Sequence, residues 1–133
     1  MDAFALSITP LYAGILALMY FGLAVHVIRG RRSKRIGLGA GDDDDMLTRI
    51  RMHGNFGEYV PLCLVLMLVL ELGGSSAVFL HGVGITLVIG RAAHAYGLSK
   101  SSGATLYRVI GMVTVFFALI GGGLRAIMLG LGV

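Results

Sequence analysis

Arg51, Asn55 and Glu58 stand at i, i+4 and i+7. On a helix that spacing puts a guanidinium, an amide and a carboxylate on one face. An arginine grips a carboxylate through parallel N–H bonds, and a glutamate can meet an ammonium. Such a set suits a zwitterionic ligand rich in anionic groups. Arg91 and His94, one turn apart, could add to it, as could Arg108 and the earlier Arg31 and Arg32. Tyr59 and Leu62 continue near the same face, whereas His53 lies off it and would point to a neighbouring helix. The alternative is structural: Glu58 pairs with one arginine while the others reach for headgroups. The surplus of arginine over acid favours the ligand.

What must position these residues follows from composition. The chain has 133 residues, 56% of them hydrophobic and only 14% charged, against about 25% charged in an ordinary globular domain. Mean hydropathy is +0.86. That much apolar surface excludes disorder, and 18 charged side chains could not cover it as a soluble globule. Glycine is frequent (21 residues) but lacks the strict period of collagen. The bilayer is the fitting solvent, and four spans of about 20 residues use nearly the whole chain. The net charge of +4 reads as loop charge in a membrane protein, not as a nucleic-acid surface.

The spans are expected at about 7–28, 47–72, 77–96 and 105–129. The first lacks a basic flank before it and is too long for a signal peptide, so it is expected to be retained. Between Glu58 and Glu71 lie only 12 uncharged residues, about 18 Å of helix against a hydrocarbon core of about 30 Å. Glu58 is therefore carried to membrane depth. A carboxylate there is costly without a partner or water, which predicts that Glu58 faces the bundle interior. Gly73-Gly74-Ser75-Ser76 and Ser99-Lys100-Ser101-Ser102-Gly103 read as tight turns. Ten of the 11 basic residues fall in or beside the first and second connecting loops of one side, and only Arg125 lies toward the other. The positive-inside rule then puts both loops in the cytoplasm and both termini on the non-cytoplasmic side.

Several features call for little. Cys63 sits in an apolar run, cannot form an intrachain disulfide and reads as a core residue. The Asp42–Asp45 run reads as a solvated loop that also charges the start of the next helix. It lacks the spaced ligands of a calcium loop, and no zinc spacing occurs, so no metal is expected. Gly82-Val83-Gly84 and Gly121-Gly122-Gly123 read as close helix contacts. His26 and His81 receive no role, and Tyr12, Tyr20, Met46, Met52 and Met112 read as packing.

Arg51-Met52-His53-Gly54-Asn55-Phe56-Gly57-Glu58-Tyr59-Val60-Pro61 resembles the RxxxNxxExxP signature of the MAPEG family, membrane-associated proteins in eicosanoid and glutathione metabolism. The resemblance covers nearly the whole chain, as one transmembrane domain over 1–133. It implies an all-α integral membrane four-helix bundle of left-handed up-down topology, assembled as a homotrimer. It further implies glutathione bound between protomers near the cytoplasmic end. Arg51 and Asn55 match positions that hold the polar ends of the tripeptide, and Glu58 the position that meets its γ-glutamyl amine. Tyr59 matches an aromatic site position, and Arg31 or Arg32 a carboxylate-binding arginine. Arg91 matches an arginine at the second turn, His94 a site position, and Arg108 the arginine that stabilises the glutathione thiolate. His53, inside the motif, is counted with the binding residues.

There are departures. Gly54 replaces an arginine of some relatives, Leu98 stands where a tyrosine is common, and Val109 follows Arg108 where some have serine. They weaken any transfer of prostaglandin or leukotriene specificity and leave the thiol open. The expected activity is that of a glutathione-dependent transferase or peroxidase acting on a lipophilic electrophile or lipid peroxide. Membrane lipid and a lipophilic small molecule are its partners, and neither metal nor nucleic acid is called for. A bacterial inner-membrane protein fits the charge count and compact size. Two rival readings are a non-catalytic relative that binds lipid or a partner, and a small proton-coupled transporter using Glu58.

Overall fold

The computed structural model describes residues 6–100 and 105–133. They form four helices: α1 (Ile8–Lys34), α2 (Asp44–Leu72), α3 (Ala77–Lys100) and α4 (Leu106–Gly130). All four are long and apolar enough to cross a membrane. No strand occurs among the described residues.

Each helix begins and ends where the chain supplies the chemistry. α1 closes at Arg35, which takes the left-handed conformation (φ 56°), and Ile36 N–H reaches back to the Arg31 carbonyl at 3.1 Å. Arg31, Arg32 and Lys34 fill its last turn, where cations suit the helix dipole. Asp43 caps α2 by accepting from Met46 N–H at 2.7 Å, and Asp44 and Asp45 occupy the first turn. Gly74 (φ 79°) makes the turn into α3. Thr105 caps α4 by accepting from Arg108 N–H at 3.2 Å.

The helices outrun the spans read from hydropathy. α1 continues to Lys34 rather than stopping near 28, and α3 continues to Lys100 rather than 96. Backbone hydrogen bonding does not stop at the hydrocarbon boundary, and long basic side chains follow the helix into the headgroup layer. Ser99 and Lys100 thus belong to α3, and the rest of the expected turn lies outside the described residues.

α2 touches all three other helices, whereas α1 and α4 do not meet among the described residues. The α3–α4 interface is the most extensive. Leu16, Phe56, Val60, Cys63, Leu87, Val115 and Ala118 form the core, so Cys63 packs as expected. Leu18 (74% exposed) and Phe117 (70%) project outward, as lipid-facing side chains do. The glycine runs pack unevenly. Gly84 lies against Tyr12 and Gly122 against Leu66, but Gly82, Gly121 and Gly123 have open space around them.

Candidate functional site

The polar residues expected to act together come from three helices. Arg51 and Asn55 of α2, His94 of α3 and Arg108 of α4 line one recess of about 150 Å³ at the basic end of the bundle. Asp44, Leu47, Thr48 and Leu98 complete its lining. A second recess, about 470 Å³, starts from Asn55, His94 and Arg108 and runs down α4 along Val109, Met112, Val113 and Phe116. The three shared residues join a polar mouth to an apolar groove.

Close approach of α3 and α4 sets this geometry. A Cβ at Gly111 would fall 2.8 Å from the Gly90 carbonyl oxygen, and one at Gly97 would fall 2.9 Å from Cγ of Arg108. Both are shorter than carbon contacts allow, so glycine lets the helices meet and brings His94 and Arg108 to one opening.

Arg91 lies behind the recess rather than on its wall, and is only 2% exposed. Its Nη2 donates to Asn55 Oδ1 at 2.6 Å and contacts His94 Nδ1 at 3.3 Å. Its guanidinium carbon stands 5.7 Å from the centre of the Phe56 ring, a cation–π contact. Nε and Nη1 are buried without a hydrogen-bond partner among the described residues.

Glu58 does not face the interior of the bundle, contrary to expectation. It lies on the outer side of α2, where Arg51 donates to it at 3.3 Å and 3.4 Å, and the two side chains are about half exposed (49% and 53%). The inward positions of this stretch go to Met52, Phe56 and Val60, at i, i+4 and i+8, which fill the core. The carboxylate finds its partner two turns back instead of across the bundle.

Four other expected residues are not brought into the recess. His53 stacks on Tyr20 of α1, with ring centres 4.5 Å apart, as its offset from the Arg51 face implied. Arg31 donates to the carbonyls of Ile36 (3.3 Å) and Gly39 (3.0 Å), tying down the loop after α1, and Arg32 is exposed. Tyr59 packs edge-on against Phe116 (6.1 Å), where it borders the groove rather than the mouth. Sequence reading passed over Asp44 and Thr48 at the rim. It also passed over the stripe Val109, Met112, Val113, Phe116, whose i, i+3, i+4, i+7 spacing was there to be read. His26, given no role, accepts from Arg49 through its carbonyl oxygen at 2.9 Å.

The profile of the MAPEG family matches residues 9–128. Two relatives named inner membrane protein YecN, from Escherichia coli strain K12 and from E. coli O6:H1, are each 38% identical over 90 residues. The match spans 68% of this chain and 69% of each relative. That name gives a membrane and no reaction. No solved structure matches significantly. Four spanning helices and inner-membrane relatives make this a multi-pass inner membrane protein. With the signature residues gathered at one end of a four-helix bundle and the profile covering nearly the whole chain, the protein belongs to the MAPEG family.

Proposed function

We propose that the protein is a glutathione-dependent membrane transferase or peroxidase, with the polar recess holding glutathione and the α4 groove holding a lipophilic partner. The continuity of the two recesses through Asn55, His94 and Arg108 carries this reading. A polar thiol and an apolar electrophile must meet at one atom, and only a junction of polar and apolar walls lets both arrive.

Arg51 and Asn55 hold the carboxylates of the tripeptide, and Arg108 faces its thiol. A thiol with pKa about 8.5 is mostly protonated at neutral pH. A fixed cation in a poorly solvated site favours the thiolate, which is the nucleophile. In transfer, the sulfur bonds to an electrophilic carbon and the leaving group departs with the bonding pair. In peroxide reduction, two glutathiones become a disulfide and the lipid hydroperoxide becomes an alcohol and water.

Glu58 supports a homotrimer in this reading. It is the central residue of a 29-residue helix about 43 Å long, so the Arg51–Glu58 pair sits outward at membrane depth. Hydrocarbon is a poor cover for a half-exposed ion pair, and a neighbouring protomer is a better one. The glutathione amine then reaches Glu58 at the seam between protomers, with the basic end in the cytoplasm. A proton-coupled exporter fits less well, because Arg51 already pairs with Glu58.

Titration of the detergent-solubilised protein with glutathione tests this. Saturable binding is expected with thiolate absorbance in the ultraviolet, weakened about tenfold or more by Arg51→Ala and by Glu58→Gln. A folded oligomer with neither saturable binding nor thiolate signal overturns the assignment.

A further inference from the structure

Arginine has hydrogen-bond donors and no acceptor, and its charge cannot be removed at ordinary pH. Whatever touches the Arg91 guanidinium must therefore accept from it. Asn55 is turned so that Oδ1 takes the 2.6 Å bond, which leaves its Nδ2 amide hydrogens for the recess. Among the described residues Nδ2 makes one contact, a weak one to the Met112 sulfur at 3.8 Å. His94 meets the same Nη2 group through Nδ1 at 3.3 Å. A protonated Nδ1 would set donor against donor there. The second hydrogen of Nη2 is free to reach Nδ1, so the ring proton belongs on Nε2. His94 is 3% exposed and lines both recesses, and with Nδ1 taken by Arg91 its remaining ring donor is Nε2–H.

The inner wall thus carries amide hydrogens from Asn55 and a ring N–H from His94, beside the guanidinium of Arg108. The acceptors of the lining, Asp44 and Thr48, belong to the first turns of α2, at the rim. Behind the wall stands a buried cation with Nε and Nη1 unpaired and no carboxylate bonded to it among the described residues. A buried charge without a counter-charge makes its surroundings attractive to an anion.

We propose that Arg91 is a positioning residue that makes the inner wall of the recess a donor-only subsite for an anionic group of the bound thiol peptide, holding Asn55 by Oδ1 and His94 by Nδ1. This rests on the functional reading above and deepens it. His94 serves as a hydrogen-bond donor and not as a base, and the group it meets is the thiolate or a carboxylate of glutathione.

The first test needs no ligand. In the full-length protein in detergent, with ¹⁵N-labelled histidine and His94 assigned through His94→Gln, neutral imidazole protonated on Nε2 is expected. A ring protonated on Nδ1, or on both nitrogens, at neutral pH overturns the proposal. The second test uses Asn55→Asp, which keeps an oxygen for Arg91 but replaces the Nδ2 donor with a carboxylate oxygen. Thermal stability should hold or rise, while glutathione affinity falls about tenfold or more. Unchanged affinity would mean that Asn55 serves Arg91 alone and would sink the donor wall. Arg91→Met should fold, since an apolar side chain replaces a poorly paired buried charge, and should lose affinity with mixed His94 tautomers. Intact affinity with an unchanged tautomer would refute the positioning role. S-methylglutathione separates the two anions. If the thiolate meets the wall, its affinity is insensitive to Asn55→Asp; if a carboxylate does, it falls as glutathione's does. If the unaltered protein binds no glutathione, the functional reading fails, and the tautomer still decides the wall.

Discussion

At the end of the bundle marked by Gly73 and Gly74, Glu71 accepts from the backbone N–H groups of Ser7 (2.8 Å), Ile8 (2.8 Å) and Thr9 (2.6 Å). Ser7 makes no side-chain cap for α1, so a carboxylate from α2 does that work across the helix pair. One turn further in, the Tyr12 hydroxyl meets His81 Nδ1 at 2.8 Å. At the basic end, by contrast, Arg91 leaves two guanidinium nitrogens unpaired among the described residues, and Arg51 and Glu58 hold each other loosely and half exposed. The Ser75 hydroxyl also lacks a partner among the described residues, but it is neutral and costs less to bury than a cation. A charge that the chain itself satisfies is architectural. Cationic donors left without an acceptor among the described residues make their surroundings attractive to an anionic ligand. Under the proposed function, the same kind of polar residue serves fold at one end and chemistry at the other.

If that division is right, variants at the basic end should cut function with little effect on stability, and variants at the far end should do the reverse. The largest effect is expected for Arg108→Ala. If Arg108 faces the glutathione sulfur as proposed, its loss should lower the thiolate signal and turnover about 100-fold, with a smaller change in glutathione affinity. Stopped-flow absorbance and binding measured on one preparation separate the two. An equal loss in both would make Arg108 a binding residue only.

Glu71→Ala should come next and should register in stability alone. Three backbone donors at the start of α1 lose a charged acceptor, which costs about 2 kcal/mol by analogy with helix caps. Thermal unfolding in detergent reads this loss, and Glu71→Gln should recover part of it. Altered glutathione affinity in either variant would break the division between the ends. Tyr12→Phe is milder. It removes one hydrogen bond and leaves His81 to find another partner, for about 1 kcal/mol.

How far the sequence reveals all this differs between the ends as well. Four spans follow from apolar length, and the gathering of Arg51, Asn55, His94 and Arg108 follows from helix spacing and loop charge. The outward turn of Glu58 does not follow. The burial cost of a carboxylate argues for the interior, and the competing claim of Met52, Phe56 and Val60 on that side is a packing fact that spacing alone does not rank. Arg91 illustrates the same limit, since a recess wall and the layer behind it share one helical register. Glu71 reads as the boundary of a span, and nothing local signals that its partners lie more than 60 residues earlier. Long-range caps of this sort are legible only once α1 and α2 are known to pack side by side.

The smallest expected effect lies outside the membrane, at the loop that sets the angle between α1 and α2. Asp43 accepts from Met46 N–H at 2.7 Å and from Lys34 Nζ at 3.0 Å. The backbone bond from Met46, followed by that from Lys34, holds its carboxyl below the ordinary value of 3.8. A group with a depressed pKa in the folded state contributes stability above its ordinary value and loses it as pH falls through the folded value. Asp43→Asn keeps a capping oxygen but removes both the titration and the ion pair. At neutral pH the variant should therefore unfold at a slightly lower temperature than the unaltered protein, by little because the pair is solvated. Below about pH 4 the two curves should converge, as Asp43 takes up its proton. Thermal unfolding measured from pH 7 down to pH 3 checks this. A gap that stays constant with pH would show that the cap, and not the charge, is what Asp43 contributes, and the acidic run would then be structural in the same neutral sense as Thr105 at the start of α4.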